Sequence, residues 1–117
     1  MAGEKEEVLG CKDILTLNKV QESKVLLSQD WGKIKSVFPV ASGGLHPGHI
    51  PALVRYFGND VILQFGGGCH GHPKGTKAGA KAIRQALDAT MEGINLDEYS
   101  KTHKELAIAL DKWGIVK

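Results

Sequence analysis

Two glycine clusters, each placed directly after an apolar run, constrain the fold of this chain more than any other feature. The apolar runs at 38–41 and 61–65 lead into Ser42-Gly43-Gly44 and Gly66-Gly67-Gly68. A stretch with helical spacing of apolar residues follows each cluster. Strand, glycine turn and helix, given twice in succession, is typical of two consecutive βα units. The sequence therefore predicts an α/β fold with two neighbouring parallel strands.

The position of these glycines also predicts a ligand. Glycine lets the backbone approach a ligand closely, and a helix that begins at the turn adds the positive end of its dipole. In a β/α barrel the loops after the last two strands commonly form a phosphate site. We expect the two clusters together to hold a single phosphate of a small sugar-like ligand. The alternative is that the glycines only permit tight turns, and a serine beside glycine is common in turns as well.

Helical and strand patterns can be assigned along most of the chain. They predict helices over 4–17, 50–57, 76–92 and 96–113, buried strands over 35–41 and 61–65, a loop with a short strand over 18–31, and a loop over 66–75. Gly58 and Gly114 are placed to end helices, and Thr76 to cap one. The inner face of the 76–92 helix is predicted to be Ala80, Ile83, Ala86, Leu87 and Thr90 or Met91.

Two parallel strands with a few helices cannot cover both faces and both edges of a sheet. A closed barrel removes the edges, but it requires eight strands. The pattern therefore resembles the last part of a larger barrel, and we expect exposed apolar surface on its open edge.

Composition excludes several classes of protein. The chain has 117 residues, which predicts one domain, and its net charge of +2 is too small to indicate a nucleic-acid partner. The N-terminus is charged and lacks the apolar core of a signal peptide, and no apolar run approaches the length of a membrane span. The two cysteines, Cys11 and Cys69, form no disulfide framework. A cytoplasmic location fits these features best.

Several side chains near the glycine clusters have two interpretations. The loops contain Cys69 and four histidines, His46, His49, His70 and His72, which would suit zinc. No C-x-x-C pair accompanies them, so we favour histidines that hydrogen-bond loop backbone. Trp31, Tyr99 and Trp113 are predicted as core or subunit-contact residues rather than stacking partners of a ligand. Lys74, Lys77 and Lys81 are predicted as a solvated face.

At its two glycine loops the sequence resembles the large subunit of ribulose-1,5-bisphosphate carboxylase/oxygenase (RuBisCO). The matching segments are 38–48, 61–68 and Gly71-His72-Pro73, in the right order and with the right spacing. The His46-Pro47-Gly48 variant and the tail over 96–106 resemble the archaeal, form III branch. The resemblance covers essentially the whole chain.

The resemblance implies which part of the family's fold the chain represents. It implies an α/β segment, residues 1–117, from the C-terminal part of a TIM (β/α)8 barrel: about strands seven and eight with helices six to eight, plus C-terminal helices. Residues 1–5 resemble the segment just after the family's mobile loop six, whose lysine polarises carbon dioxide. Strands one to six, the magnesium ligands and the N-terminal domain would then lie outside the chain.

The resemblance also implies site residues. Ser42, Gly43 and Gly44 resemble the family's substrate-binding loop seven, with the hydroxyl on a substrate oxygen and the Gly44 amide on a phosphate. Gln64, Phe65, Gly66 and Gly67 resemble the end of strand eight, where glycine amides complete the phosphate site. No catalytic residue and no metal ligand carries over, although the full-length family uses Mg²⁺.

The resemblance leaves three functions open. The first is a segment of a carboxylase, a lyase that converts ribulose 1,5-bisphosphate into 3-phosphoglycerate, with the isolated chain inactive. The second is a non-catalytic remnant that binds phosphate or a partner only. The third is a RuBisCO-like enolase of methionine salvage. In each case we expect a homo-oligomer or association with the missing barrel part, and no nucleic acid or membrane.

Overall fold

The computed structural model describes residues 4–117. Residues 1–3, which belong to the segment that resembles the part just after loop six, lie outside that range. In chain order the elements are α1 (Lys5–Thr16), β1 (Lys19–Val20), β2 (Gln29–Asp30), β3 (Val40–Ala41), a 3-10 turn (Pro47–His49), α2 (Ile50–Phe57), β4 (Ile62–Leu63), α3 (Gly67–His70), α4 (Thr76–Met91), α5 (Leu96–Ser100) and α6 (Lys104–Trp113). The described part is thus mostly helical with a few short strands. None of its helices is long and apolar enough to cross a bilayer.

Strands β3 and β4 form the parallel pair that the glycine pattern predicts. Val40 pairs with Ile62 and Ala41 with Leu63. The Gln64 amide donates to the Ala41 carbonyl at 3.0 Å and extends the ladder. The chain passes from β3 to β4 through the 3-10 turn and α2, so this part is one βαβ unit. The separate pair β1–β2 is antiparallel and lies in the region predicted as a loop with a short strand.

Small residues on α4 bring the helices together. Gly79, Ala82, Ala86 and Ala89 are buried along one face of this helix. A Cβ on Gly79 would lie 1.9 Å from the Cys69 carbonyl oxygen, so α3 packs directly on the α4 backbone. The prediction that Ala80 lies on the inner face is wrong: Ala80 is exposed, and the buried face runs through Gly79 and Ala82, because the close approach of α3 requires glycine at position 79. Ala86 is fully buried, and Ile83 and Leu87 pack at the edge of the same core.

The predicted strands are longer and more buried than the observed ones. Only Val40–Ala41 of the 35–41 run is a strand, and Val37, Phe38 and Val40 are 54%, 60% and 53% exposed. Ile62 of β4 is 49% exposed, so burial on both faces is wrong as well. Among the described residues, each strand of this pair has one hydrogen-bonded neighbour, and nothing covers these side chains. The expected exposed apolar surface is therefore present.

Two helix boundaries also differ from the predictions. The N-cap of α4 is Gly75, at φ +87°, and the Thr76 hydroxyl hydrogen-bonds the His70 ring at 3.1 Å instead of capping the helix. The 66–75 segment, predicted as a loop, contains the single helical turn α3.

The predicted helix over 96–113 is two helices, with a break at 101–103. Side chains at the break bind the carbonyls that a continuous helix would use. The Ser100 hydroxyl donates to Asp97 O at 2.8 Å, and the Thr102 hydroxyl donates to Tyr99 O at 3.3 Å. The His103 ring Nδ1 lies 2.8 Å from the same Tyr99 oxygen. Such local side-chain bonds compete with the helical ladder and end it without glycine or proline.

Candidate functional site

Both glycine loops lie at the same end of the β3–β4 pair. Because the strands are parallel, their carboxyl ends share one edge, and Ser42-Gly43-Gly44 follows Ala41 there. Gln64, Phe65, Gly66 and Gly67 follow Leu63 at the same edge. The fold thus gathers all of the residues predicted as a site into two adjacent loops.

The two loops touch through the backbone at Gly68. A Cβ on Gly68 would lie 2.0 Å from the Leu45 carbonyl oxygen and 2.6 Å from His46 Cα. Real Cβ atoms do not approach other atoms this closely, so only glycine allows α3 to rest on the loop that follows β3. The third glycine of the second cluster therefore sets the distance between the loops.

The loop residues themselves are mostly exposed. Gly43 and Gly44 adopt φ +88° and +67°, which side chains other than glycine rarely adopt. Gly66 and Gly67 are exposed, and a Cβ on either would meet no atom within 4 Å. Gly67 opens α3, and the amides of a helix's first turn have no acceptor within the helix. The second loop thus has open space in front of its backbone.

The three side-chain-bearing site residues differ in environment. Ser42 and Gln64 are exposed. Phe65 is half-buried and packs against both apolar core clusters, so it anchors the strand end. Ser42 therefore presents an accessible hydroxyl in the first loop, while Phe65 fixes the backbone at the start of the second loop.

Histidines His46 and His49 stabilise the turn after the first loop. The His46 amide donates to His49 Nδ1 at 3.1 Å, and the two rings lie 3.9 Å apart between centroids. Burial, and secondarily the nearby His49, lower the pKa of His46 to about 4. Burial also lowers the pKa of His49. His46 Nδ1 is buried and has no hydrogen-bond partner among residues 4–117.

His72 fixes the segment after the second loop. Its side chain is only 4% exposed. The Lys74 amide donates to Nδ1 at 3.0 Å, which leaves Nε2–H to donate to the Glu105 carbonyl at 2.9 Å. His72 therefore ties the chain after α3 to the start of α6, as the backbone-bonding interpretation predicts.

No group of three or more metal-ligating side chains is assembled anywhere in residues 4–117. A cavity of about 700 Å³ lies between α2, α5 and the C-terminal residues, and Arg55, Asn95 and Lys117 line it. It includes no residue of either glycine loop. Ser42 lines a separate cavity of about 210 Å³ between α1 and β3, whereas Gly66 and Gly67 face open space.

Sequence patterns miss two contributors to this arrangement. The sequence gives Gly68 no role distinct from its neighbours, although it is the position at which the loops touch. Trp113 lies outside both core clusters, and its ring stacks on His46 with centroids 5.7 Å apart and planes at 9°. The triple glycine was a usable signal for the first, whereas periodicity carries no signal for a contact between residues so far apart in sequence.

Residues 1–113 match the catalytic domain of the ribulose bisphosphate carboxylase large chain. The chain belongs to this family. It is 58% identical over 115 residues to the ribulose bisphosphate carboxylase of Methanosarcina barkeri, covering 97% of this chain and 27% of the relative. It is 52% identical over 117 residues to that of Pyrococcus furiosus, covering 100% and 25%. The RuBisCO resemblance and its archaeal character are confirmed.

Solved RuBisCO structures share the fold of the described chain. The dimeric archaeal Rubisco from Hyperthermus butylicus superimposes with a TM-score of 0.85 at 50% identity, over 99% of this chain and 28% of that one. The octameric enzyme from Pyrococcus horikoshii gives 0.76 at 46% identity, over 100% and 25%. The chain thus spans about a quarter of the length of these relatives, and its fold is consistent with part of their α/β barrel.

Proposed function

We propose that this chain is the C-terminal segment of a RuBisCO barrel domain and that its two glycine loops hold one phosphate of ribulose 1,5-bisphosphate. In this assignment β3 and β4 are barrel strands seven and eight, and α1, α2 and α4 are helices six, seven and eight. The observation that carries the proposal is the backbone contact of Gly68 with Leu45, which joins the loops at the carboxyl edge of a parallel pair. Barrel enzymes commonly bind phosphate at this place.

Each loop has a distinct part in the proposed site. The exposed Ser42 hydroxyl contacts a substrate oxygen, and the Gly44 amide donates to the phosphate. The Gly66 and Gly67 amides complete the phosphate site from the second loop, where nothing in the protein occupies the space in front of them. Gln64 joins the loop to the strand ladder through its amide, and Phe65 anchors it in the core.

The described residues bind substrate in this proposal and do not carry the metal chemistry. Residues 4–117 hold no ligand cluster that would fit Mg²⁺. The magnesium-dependent enolisation and the carboxylation would therefore require groups outside this chain. We expect the 117-residue chain by itself to be inactive as a carboxylase.

The exposed apolar side chains of the strand pair favour association. Val37, Phe38, Val40 and Ile62 present apolar surface that a neighbouring barrel strand or subunit would cover. The solved relatives are described as dimeric and octameric. We propose that the chain works within such an assembly.

A chimera tests the proposal directly. The chain replaces the matching quarter of the Methanosarcina barkeri enzyme, and carboxylation of ribulose 1,5-bisphosphate is measured by 3-phosphoglycerate formation. We expect an active chimera, and a higher KM for ribulose bisphosphate when it carries Gly67→Ala. Ser28→Ala, an exposed serine outside the loops, is the matched control and should leave the KM unchanged.

Two results would contradict the proposal. An assembled chimera that forms no product, beside an active parent enzyme, would favour the non-catalytic interpretation. Carboxylation by the purified chain alone would show that the metal chemistry does not need other residues.

A further inference from the structure

The C-terminal end of α6 lies against the segments that follow both glycine loops. Trp113, the last residue of this helix, stacks its ring on His46 in the turn after the first loop. A Cβ placed on Gly71, just after α3, would lie 3.5 Å from Trp113 Cζ2, so the same ring faces the segment after the second loop. One side chain thus contacts the segments that follow both β3 and β4.

Neighbouring residues strengthen both contacts. Lys112 Nζ donates to the Gly71 carbonyl at 2.6 Å. The Val116 amide donates to the Gly48 carbonyl at 3.0 Å. A Cβ on Gly48 would lie only 2.0 Å from the Gly114 carbonyl oxygen, so the chain after α6 packs tightly on the turn that follows the first loop.

Trp113 is separate from the core that holds α6 in place. The core residues of this helix are Leu106 and Ala109, which are 0% and 1% exposed. Trp113 belongs to neither core cluster found in the described part of the chain. Its ring stacks on His46 and faces Gly71, which flank the loops, and Lys112 Nζ lies 5.0 Å from its centroid. The ring is therefore placed to hold the loops relative to each other rather than to hold the helix.

We propose that Trp113 is a positioning residue that keeps the two glycine loops in register for phosphate binding. Its flat ring stacks on the His46 imidazole and faces Gly71, and so it holds together the two loops whose closest approach is set at Gly68. A phosphate bound by amides from both loops needs both loops in place at once. The effect of Trp113 on phosphate binding rests on the proposed function, whereas its effect on the contact between the loops does not.

The experiment uses the full 117-residue chain labelled with ¹⁵N and ¹³C. Wild type is compared with Trp113→Leu, which removes the flat ring, and Trp113→Phe, which keeps an aromatic ring on His46. Trp31→Leu replaces a tryptophan that is 40% exposed outside the loops and is the matched control. Trp113→Met, which keeps an apolar side chain but no flat ring, is a second variant in case Trp113→Leu fails to fold.

Two readouts are collected on each variant. The first, without ligand, is the nuclear Overhauser contact between the Gly68 and His46 α-protons, which reports the loop contact. The second is the apparent Kd for inorganic phosphate from amide shifts. If the loops are in register only about a tenth of the time in Trp113→Leu, the Kd rises about tenfold.

The outcomes separate the two proposals. A lost Gly68–His46 contact and a Kd raised about tenfold in Trp113→Leu, with Trp31→Leu unchanged, would support the positioning role. Trp113→Phe should fall between Trp113→Leu and wild type, because its ring keeps the His46 stack but lacks the Cζ2 atom that faces Gly71. If Trp113→Leu does not fold, a lost contact in Trp113→Met supports it and an unchanged contact overturns it. A Trp113→Leu chain that keeps the contact and the wild-type Kd overturns the positioning role and leaves the proposed function standing. If wild type binds no phosphate, the proposed function fails and the ligand-free contact alone decides the role of Trp113.

Discussion

Replacing Gly68 by alanine should drive the two glycine loops apart. The new Cβ would lie 2.0 Å from the Leu45 carbonyl oxygen, whereas ordinary van der Waals contact begins at 3.4 Å. Restoring ordinary contact requires a shift of about 1.4 Å, and because the blocking atom belongs to the backbone, we expect the loops to separate. Overpacking of this kind costs about 1–3 kcal/mol. For a chain of this size that lowers the Tm by roughly 4 °C per kcal/mol.

Gly67→Ala is the matched control in the same helical turn. Its Cβ would meet no protein atom within 4 Å, and its φ is not left-handed, so stability should stay the same or rise by about 0.5 kcal/mol. The same Cβ points into the space where we place the phosphate, so phosphate binding should weaken. Urea unfolding and a phosphate titration on both variants separate the two effects. Equal stability of Gly68→Ala and wild type would refute the loop contact on which the site depends.

Three further predictions follow from individual contacts. Burial lowers the pKa of His46 to about 4, so the unfolded chain takes up the proton at a higher pH than the folded chain does. The free energy of unfolding should therefore fall between pH 6.5 and about 4, by at most about 2 kcal/mol. In urea unfolding, His46→Phe should reduce this dependence on pH, whereas His70→Phe, at an exposed position, should leave it in place. The hydrogen bond from Gln85 is the main cause that lowers the pKa of Glu105 to about 2, so Gln85→Leu should raise this pKa in a carboxyl NMR titration. The same change leaves the Leu106 amide unpaired and should lower the free energy of unfolding by about 1 kcal/mol. An unchanged pKa of Glu105 would contradict the Gln85–Glu105 contact. Phe38 is 60% exposed, so Phe38→Ser should raise the concentration at which light scattering detects self-association. Unchanged scattering would show that the chain does not self-associate through this face.

The sequence predicted best those elements whose pattern is local. Apolar spacing over 50–57 and Gly58 gave α2, which ends at Gly58 with φ +73°. The alanine-rich pattern from Thr76 gave α4 within one residue of its observed end at Met91. In both cases the residues that decide the boundary lie within one or two turns of it.

The failures share a physical cause, which is competition from contacts that periodicity does not encode. The break after Ser100 arises from hydroxyl and imidazole groups that bind nearby carbonyls, in a stretch whose apolar spacing suits a continuous helix. The short, exposed strands reflect the single neighbour that each has within residues 4–117. The glycine clusters and the family resemblance predict the candidate site residues, and the parallel strand pair places them in two adjacent loops. The bridge from Trp113 to His46 could not be predicted, because only the fold brings these residues together.

We propose that amides from both glycine loops bind a single anion. The most direct test is an amide NMR titration of the full chain with inorganic phosphate. We predict that the amide signals of Gly44, Gly66 and Gly67 shift together along one binding curve with one Kd. Shifts confined to one loop, different Kd values for the two loops, or shifts centred on the lysines at 74, 77 and 81 would contradict it.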